Sequence, residues 1–257
     1  MNRFILFILS LFLISDAVTA QVNTERLRRK INDTGFYSGF TLSLDMKQGN
    51  TEYYDIGTGV RLDYYQKSSH LFLAGNFQYK ESREIKNANN GFIHIRYVRT
   101  LNGSLKIEGF IQTEFDNFKR INSRELLGAG ARIKLMDQYG IDSVYDADIT
   151  FGTGFMAEYE NQNISGSSAE VSRLRSTSYL SAIFNVTKTL SLNGVAYFQP
   201  DLADLSVYRI LTEAGLNIKA SEVFSLQTKV NYLFDSSPLP GIKNYDLRFS
   251  TGVSINF

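Results

Sequence analysis

The sequence of 257 residues has no cysteine and no tryptophan, and it has only three prolines and two histidines. The absence of cysteine excludes disulfides, a catalytic thiol and thiolate metal ligands. The 27 lysines and arginines nearly balance the 26 aspartates and glutamates, so the net charge of +1 does not favour nucleic acid or a strongly acidic substrate. A mean hydropathy of −0.17 is too polar for a helical membrane protein, whereas a membrane β-barrel hides its apolar residues in alternation and keeps a value this low.

The N-terminus has the pattern of a secretory signal peptide. Arg3 supplies a positive charge, residues 4–14 are apolar except for one serine, and residues 18–20 form a small-residue cleavage site. Because the apolar run is about half as long as a spanning helix, we predict that residues 1–20 are removed on export. No cysteine follows the cleavage site, which excludes a lipoprotein. The charged residues 21–34 predict a short periplasmic segment, which is either one short helix at the periplasmic mouth or a solvated tail; because one apolar pair buries little, we favour the tail or a frayed turn.

From residue 35 onward, apolar and polar side chains alternate with a period of two. Residues 54–64 show the pattern: Tyr, Ile, Thr, Val, Leu and Tyr stand at the even positions, and Asp, Gly or Arg stand between them. A β-strand with this pattern is apolar on one face and polar on the other. We count about twelve such segments, each near the roughly 10 residues that cross a membrane when tilted. Residues 35–257 therefore predict an all-β fold, a closed transmembrane antiparallel up-and-down β-barrel of about twelve strands.

The last fourteen residues, 244–257, carry the clearest alternation. The apolar positions end on a terminal phenylalanine, and the residues between them are polar or glycine. Behind an export signal, this stretch looks like the closing strand of an outer-membrane barrel of a Gram-negative bacterium. The resemblance implies that the barrel assembly machinery reads it as a signal during biogenesis. The predicted assembly signal comprises Phe257, Ile255, Val253 and Phe249.

The predicted connections alternate in length, as short periplasmic turns and longer outer loops do in membrane barrels. All three prolines fall in the longer set, so none interrupts a strand ladder. The tight turns are expected at residues 66–69, 102–103, 137–141, 188–189 and 220–222, and the longer loops at 81–90, 117–122, 160–171, 199–204 and 236–243.

Charges within the strands fall almost wholly on the polar phase, which faces the interior of the predicted barrel. On the lipid-facing phase a charge at mid-depth costs about 2–4 kcal/mol. Glu125 is an exception, and it lies next to a predicted outer loop, where the cost is small. Opposite charges on adjacent strands, such as Arg96 with Glu108 or Glu213 with Lys229, predict ion pairs that narrow the lumen. The predicted lumen charge ladder comprises Arg61, Asp63, Arg96, Glu108, Arg132, Arg209, Glu213 and Arg248.

Two stretches resemble a known family. Residues 39–62, with a Gly-Asn-Thr turn at 49–51, and residues 112–135, with Arg-Glu-Leu-Leu-Gly-Ala-Gly at 124–130, resemble the outer-membrane family with the domain label DUF481. That family includes proteins described as salt-induced outer-membrane proteins. The likeness covers about the first half of the mature chain, and the second half matches in its strand rhythm. The resemblance implies the fold and the location, and it supplies no catalytic residues.

The search for a catalytic or metal site starts from the two histidines. His94 is on the polar phase, a few residues below a predicted outer loop, and we expect Glu114 and Lys80 at similar height on neighbouring strands. No serine lies in a nucleophile motif such as G-x-S-x-G, so we predict a histidine that is hydrogen-bonded within a polar lumen. Asp146 and Asp148 share a face, but calcium prefers six to eight oxygen ligands. We predict no catalytic residue, no metal and no cofactor.

The leading prediction is a non-enzymatic outer-membrane barrel that serves as a narrow polar pore or as a structural component of the envelope. The alternative is an outer-membrane lipid hydrolase or acyl-modifying enzyme that uses His94 at the outer rim. A third class, a surface adhesin or ligand-binding barrel, would use the predicted loop 160–171.

The expected partners are outer-membrane lipid, lipopolysaccharide and the barrel assembly machinery, with no nucleic acid, and the chain is expected to be a monomer. The loop cations considered for lipopolysaccharide, with ordinary solvation as the alternative, are Arg83, Lys86, Lys119 and Arg120.

Overall fold

The computed structural model describes residues 34–49, 52–139, 146–164, 166–221 and 223–255. The predicted signal peptide, nearly all of the predicted N-terminal segment and the terminal phenylalanine lie outside these ranges. Within the described ranges there is no helix that is long and apolar enough to cross a membrane.

Twelve antiparallel strands form one sheet in which each strand pairs with the strand that follows it in the chain. This order confirms the prediction of an all-β, up-and-down fold of about twelve strands. The strands form because apolar and polar residues alternate with a period of two, and with this period only an extended chain places the two residue types on separate faces. The strands are β1 (Gly35–Lys47), β2 (Tyr53–Gln66), β3 (Ser69–Ser82), β4 (Ile85–Thr100), β5 (Leu105–Asp116), β6 (Ile121–Tyr139), β7 (Asp146–Ile164), β8 (Ser167–Asn185), β9 (Leu190–Pro200), β10 (Tyr208–Lys219), β11 (Phe224–Asp235) and β12 (Tyr245–Ile255).

The sheet curves into a barrel, since side chains of distant strands meet inside it. The Tyr179 hydroxyl on β8 donates a hydrogen bond to Glu108 Oε1 on β5 at 3.3 Å. At one end, Lys119 Nζ, in the connection between β5 and β6, lies 2.8 Å from Asp246 Oδ2 on β12. Within the described residues the backbone ladder runs from β1 to β12 without a pair between these two strands, so closure at that seam stays a prediction.

The two faces of the sheet are divided as the alternation predicts. Large apolar side chains cover the outside: Leu127 is 63% exposed, Phe155 is 61% exposed and Phe249 is 65% exposed. Charged side chains such as Arg124 and Glu158 are buried inside. A soluble β-sandwich has the opposite arrangement, with its apolar face packed between two layers. The possibility of a sandwich, which the alternation alone left open, is therefore excluded.

The interior also has a small apolar core, which the sequence analysis did not predict. Tyr179, Val195, Tyr197 and Leu211 are buried together on β8, β9 and β10, and Leu233 of β11 packs against them. These residues stand on the inward phase, between the lipid-facing residues of the same strands. The inward face of these strands therefore carries apolar as well as polar and charged side chains.

Two predicted long loops are wrong. Residues 81–90 and 160–171 belong mostly to strands, which continue to a turn at Arg83 and Glu84 and to a turn that includes Gly166. Arg83 and Glu84 both have positive φ, 51° and 63°, as a two-residue type I′ hairpin turn requires. The charged and amide residues that suggested loops form strand ladders whose two faces are both polar.

The predicted loop 117–122 is also shorter than predicted: the β5–β6 connection comprises residues 117–120, because β6 already begins at Ile121. Two connections at this end, which we call the mouth, are longer. Residues 201–207 join β9 to β10, and residues 236–244 join β11 to β12, close to the predicted ranges. At the opposite end the connections 67–68, 101–104, 186–189 and 220–223 are tight, as predicted. The predicted turn at 137–141 falls partly on strand β6 and partly outside the described residues.

Candidate functional site

Three arginines surround one carboxylate in the interior. Glu158 Oε1 on β7 accepts hydrogen bonds from Arg124 Nε on β6 and from Arg209 Nη1 on β10, both at 2.5 Å. Arg175 on β8 donates its Nε–H to Glu158 Oε2. The Glu158 side chain has no exposed surface, and that of Arg124 is 2% exposed. A buried carboxylate is stable as an anion only with such partners, because burial removes its hydration.

Three further carboxylates contact Arg124 or Arg209. Glu114 Oε1 lies 2.7 Å from Arg124 Nη1, and Glu160 Oε2 lies 3.1 Å from Arg209 Nη2. Asp235 Oδ2 on β11 lies 2.7 Å from Arg209 Nε. Three arginines and four carboxylates give a formal charge of 3 − 4 = −1 when all are ionised. We call this set the central cluster; it consists of Glu114, Arg124, Glu158, Glu160, Arg175, Arg209 and Asp235.

The strand register positions the members of the central cluster. Arg124 stands opposite Glu114 on β5 and opposite Glu160 on β7. Paired residues of an antiparallel ladder point to the same face, so these side chains meet inside. Guanidinium groups suit the site because their fixed fork of donors contacts several carboxylates at once. The cluster therefore joins five strands, β5, β6, β7, β8 and β10, to β11 across the lumen.

A second group of charges lies farther from the mouth. Glu108 Oε2 is 3.5 Å from Arg96 Nη1 and also 3.5 Å from Arg132 Nη1. The Tyr179 hydroxyl donates to the other oxygen of Glu108, at 3.3 Å. This carboxylate thus links β4, β6 and β8 from its position on β5.

A third group lies near the end opposite the mouth. Asp63 Oδ1 is 2.5 Å from Arg61 Nη2 and 2.8 Å from His70 Nε2. The ring of His70 stacks on Tyr65, with the ring centroids 3.9 Å apart. The Arg61 guanidinium lies over Phe72, 4.2 Å from the ring centroid. These contacts fix the side chains in a packed layer.

His94 lies deeper than the sequence analysis expected. It is ten residues from the turn at Arg83 and Glu84, and it is only 1% exposed. Its Nδ1 is 2.9 Å from Gln112 Oε1, and its ring is flanked by Phe72 and Phe110 at centroid distances of 5.7 Å and 5.5 Å. The prediction of a histidine a few residues below an outer loop is therefore wrong, because β4 extends through that predicted loop.

Of the two expected neighbours of His94, Glu114 is linked to it through Gln112, whose Nε2 donates to Glu114 Oε2 at 2.6 Å, and Lys80 lies elsewhere. The register places Ala74 and Gln112 beside His94, while Lys80 stands opposite Ala88 and binds Asp55 Oδ2 at 2.5 Å. Within the described residues, no group of three or more histidine, aspartate or glutamate side chains is arranged to hold a metal ion.

The central cluster separates two interior cavities. The cavity on the mouth side has a volume of about 60 Å³ and is bordered by Arg124, Glu160 and Arg209. The cavity on the other side, around His94 and Glu108, has a volume of about 30 Å³. Since a water molecule needs roughly 10–15 Å³ of such space, each cavity has room for only a few water molecules.

Six members of the predicted charge ladder lie in the ion pairs described above: Arg61, Asp63, Arg96, Glu108, Arg132 and Arg209. Glu213 is buried on β10, and Arg248 is half-buried on β12.

The predicted ladder omitted every member of the central cluster except Arg209. For the residues on β7 a signal was present, because Glu158, Glu160 and Gln162 continue the inward phase of this strand into the predicted loop. The omitted residues are Glu114, Arg124, Glu158, Glu160, Arg175 and Asp235.

The predicted assembly signal lies on the last strand. Phe249 faces outward and is exposed, Val253 is half-buried, and Ile255 pairs with Phe224 of β11. Phe257 lies outside the described residues. Recognition of these residues by an assembly machinery stays a prediction.

Two of the cations considered for lipopolysaccharide hold the mouth together. Lys119 pairs with Asp246, and Arg120 Nη1 donates to the carbonyl oxygen of Pro240 at 3.1 Å. Arg83 forms part of the two-residue turn described above, and Lys86 belongs to β4.

Comparison with known proteins identifies the family of the chain and similar solved structures, one of which is described below. The family model described as "Protein of unknown function, DUF481" matches residues 40–257. The match continues through the second half of the chain, which the sequence analysis recognised only by its strand rhythm. The solved structure, titled "NanC porin structure in rhombohedral crystal form", has 12% sequence identity and a TM-score of 0.47, and the similarity covers 86% of this chain and 99% of that chain. No curated protein sequence matches.

Proposed function

The chain belongs to the DUF481 family, and from this premise we propose that it is an integral outer-membrane β-barrel whose polar interior is closed at rest. Its role is that of a structural component of the envelope. It is exported through the signal peptide at residues 1–20, contacts outer-membrane lipid, and is a monomer.

The observation that carries the membrane location is the apolar outer face. Leu127, Phe155 and Phe249, on three different strands, are each more than 60% exposed. Exposure of apolar surface to water costs about 25 cal/mol per Å², so a continuous apolar surface of this kind is unfavourable in water and favourable in lipid. Together with the buried charges inside, this surface is the reverse of that of a soluble protein, which has its charges outside and its apolar residues inside.

The central cluster supports a closed interior. Glu158 has no exposed surface, and three arginines from three strands converge on it, so this layer leaves no wide passage. The buried position of His94, with ring contacts on two sides and Gln112 on Nδ1, gives lipid no access to the histidine. We therefore propose no enzymatic role.

A narrow pore is the second candidate function, and one observation favours it. Thr41 and Ser43 on β1 share the inward face with Gly59 and Gly57, and both are exposed. A path beside the central cluster, along β1, would have the small polar lining that a narrow polar pore needs.

The first test determines where in the cell the chain is found and whether it is folded as a barrel. We expect the full chain to fractionate with the outer membrane and to migrate in gels as a heat-modifiable barrel. Recovery of the mature chain as a freely soluble periplasmic protein would overturn the proposal.

The second test is conductance of the refolded chain in planar lipid bilayers. A closed structural barrel inserts without steady current. A steady current that Thr41→Trp abolishes, and that the lipid-facing control Leu42→Trp leaves unchanged, would establish the narrow pore instead. A large current that neither variant changes would contradict a closed interior.

A further inference from the structure

The connection between β11 and β12 folds over the barrel and encloses the cavity on the mouth side, which we call the mouth pocket. Arg120 holds the connection through its hydrogen bond to the Pro240 carbonyl at 3.1 Å, and Lys119 holds the start of β12 through Asp246 at 2.8 Å. The floor of the mouth pocket is the central cluster, and its roof is the connection itself. The pocket is therefore built by two different parts of the chain.

The floor contains a buried donor that the protein does not use. Arg124 directs Nε to Glu158 and Nη1 to Glu114, whereas its Nη2 has no hydrogen-bond partner among the described residues. The side chain is only 2% exposed. A guanidinium has donors only, and Arg124 lines the mouth pocket, so an acceptor bound in the pocket would supply the partner that Nη2 lacks. Buried donors are normally paired, and such an exception calls for an explanation.

The donor itself favours an anion, because Nη2 belongs to a cation and a charge-assisted hydrogen bond to a carboxylate is stronger than one to a neutral acceptor. The central cluster, which forms the floor, carries a formal charge of −1, and the other charged side chains of the lining, Lys119, Lys243 and Asp246, add 2 − 1 = +1. The remaining wall is apolar, with Leu233 and Leu239 among its residues. The expected ligand thus has an anionic head that contacts Arg124 and a short apolar body that contacts the leucines.

The volume limits the size of the ligand. The mouth pocket holds about 60 Å³. At roughly 10–15 Å³ for each water molecule, this space corresponds to about four to six water-sized groups. We propose that the mouth pocket binds a small monocarboxylate of propionate size, whose carboxylate accepts a hydrogen bond from Arg124 Nη2 and whose alkyl chain packs on Leu233 and Leu239.

The experiment is a titration of the folded full chain in detergent micelles with propionate, followed by calorimetry. We expect saturable binding of one propionate per chain. Leu239→Trp places an indole in the space of the alkyl chain and should weaken binding by about tenfold or more, since a packed site does not accept the added volume. Leu205→Trp is the matched control: Leu205 is exposed in the β9–β10 connection at the same end and does not line the pocket.

Arg124→Lys tests the donor itself, because lysine keeps the positive charge and removes Nη2. We expect a loss of propionate affinity of about tenfold, the effect of one hydrogen bond to a charged group. If this variant does not fold, as judged by heat-modifiability, Leu239→Trp and its control decide the question.

The competing ligands are propylamine and inorganic phosphate. Preference for propylamine would overturn the anion assignment, and preference for phosphate would overturn the role of the apolar wall. Absence of saturable propionate binding to the unaltered chain, or equal binding by Leu239→Trp, would overturn the site. The measurement needs no membrane and no current, so its failure is distinguishable from failure of the proposed envelope role.

Discussion

The two sides of the barrel interior are filled very differently. The packed wall, which we define as β3 to β10, contributes Met156, Glu158 and Glu160 from one strand alone, all buried. The sparse wall, which we define as β11, β12, β1 and β2, is buried only at the end opposite the mouth, on β2. None of the described side chains of β1, β11 and β12 is buried.

The difference follows from the size of the inward residues. Thr41 and Ser43 of β1 stand opposite Gly59 and Gly57 of β2, so this part of the sparse wall presents small groups to the lumen. The packed wall presents arginine and glutamate at the equivalent phase. The lumen is thus blocked from one side, and any passage for water or ions must run beside the small residues of β1 and β2.

The largest expected effect is on the packed wall, at the centre of the central cluster. Glu158→Ala leaves Arg124, Arg175 and Arg209 buried without their shared counter-charge. Removal of one partner from a buried ion pair costs about 3–5 kcal/mol. We expect a loss of this size in the free energy of unfolding, measured by urea titration of the refolded barrel in detergent.

Thr41→Ala on the sparse wall is the control for that experiment. Its hydroxyl makes only an exposed hydrogen bond to the Gly59 carbonyl at 3.5 Å. Exposed substitutions of this kind stay within about 0.5 kcal/mol. Equal losses in the two variants would mean that the two walls do not differ in their contribution to stability.

An intermediate effect is expected from substitution of glycine by alanine. The same substitution can be made on each wall, which allows a direct comparison. An alanine Cβ at Gly154 would meet the backbone carbonyl oxygen of Ala129, which cannot move without the strand. At Gly59 the Cβ would lie 2.5 Å from Thr41 Oγ1, and that hydroxyl can rotate away. We expect Gly154→Ala to cost about 1–3 kcal/mol through overpacking. Gly59→Ala should cost less than about 1 kcal/mol.

Thermal melts of the two glycine variants in the same detergent measure the difference. Both substitutions restrict the unfolded chain equally, so the comparison isolates packing. A greater loss for Gly59→Ala would show that the sparse wall is the tighter one.

The smallest expected effect concerns an ion pair beside the sparse wall. Lys80 Nζ and Asp55 Oδ2 are 2.5 Å apart, with side chains 35% and 28% exposed. A double-mutant cycle with Lys80→Met and Asp55→Asn should give a coupling of about 0–1 kcal/mol. Salt should weaken this coupling, whereas the coupling of the buried pairs of Glu158 should depend much less on salt. A coupling as large and as salt-resistant as that of Arg124 with Glu158 would contradict the exposure of this pair.

The contacts of Glu158 illustrate where sequence reasoning stops. Its ladder neighbour on β8 is Arg173, yet Arg173 Nε lies 3.4 Å from Asp201, and Glu158 instead binds Arg175 of the same strand. Arg209 reaches Glu158 from a strand three places away. Neither partner follows from adjacency in the chain, because both depend on strand tilt and on curvature of the sheet.

The strand ends give a second example. At residues 81–90 the polar composition predicted a loop, and the structure has a two-residue turn between paired strands. Composition distinguishes a strand from a loop only where one face is apolar. At the mouth both faces are polar, so the alternation that identifies a strand is absent.

The number of strands, their order and the apolar face of each strand can be read from the amino-acid sequence, because a period of two assigns every side chain to one side of an extended chain. The folded barrel was needed to show which inward charges meet, that they fill the lumen from one wall, and that Arg124 keeps an unused donor beneath the β11–β12 connection. These contacts join strands that are distant in the chain, and their partners depend on register, tilt and curvature, which alternation does not encode.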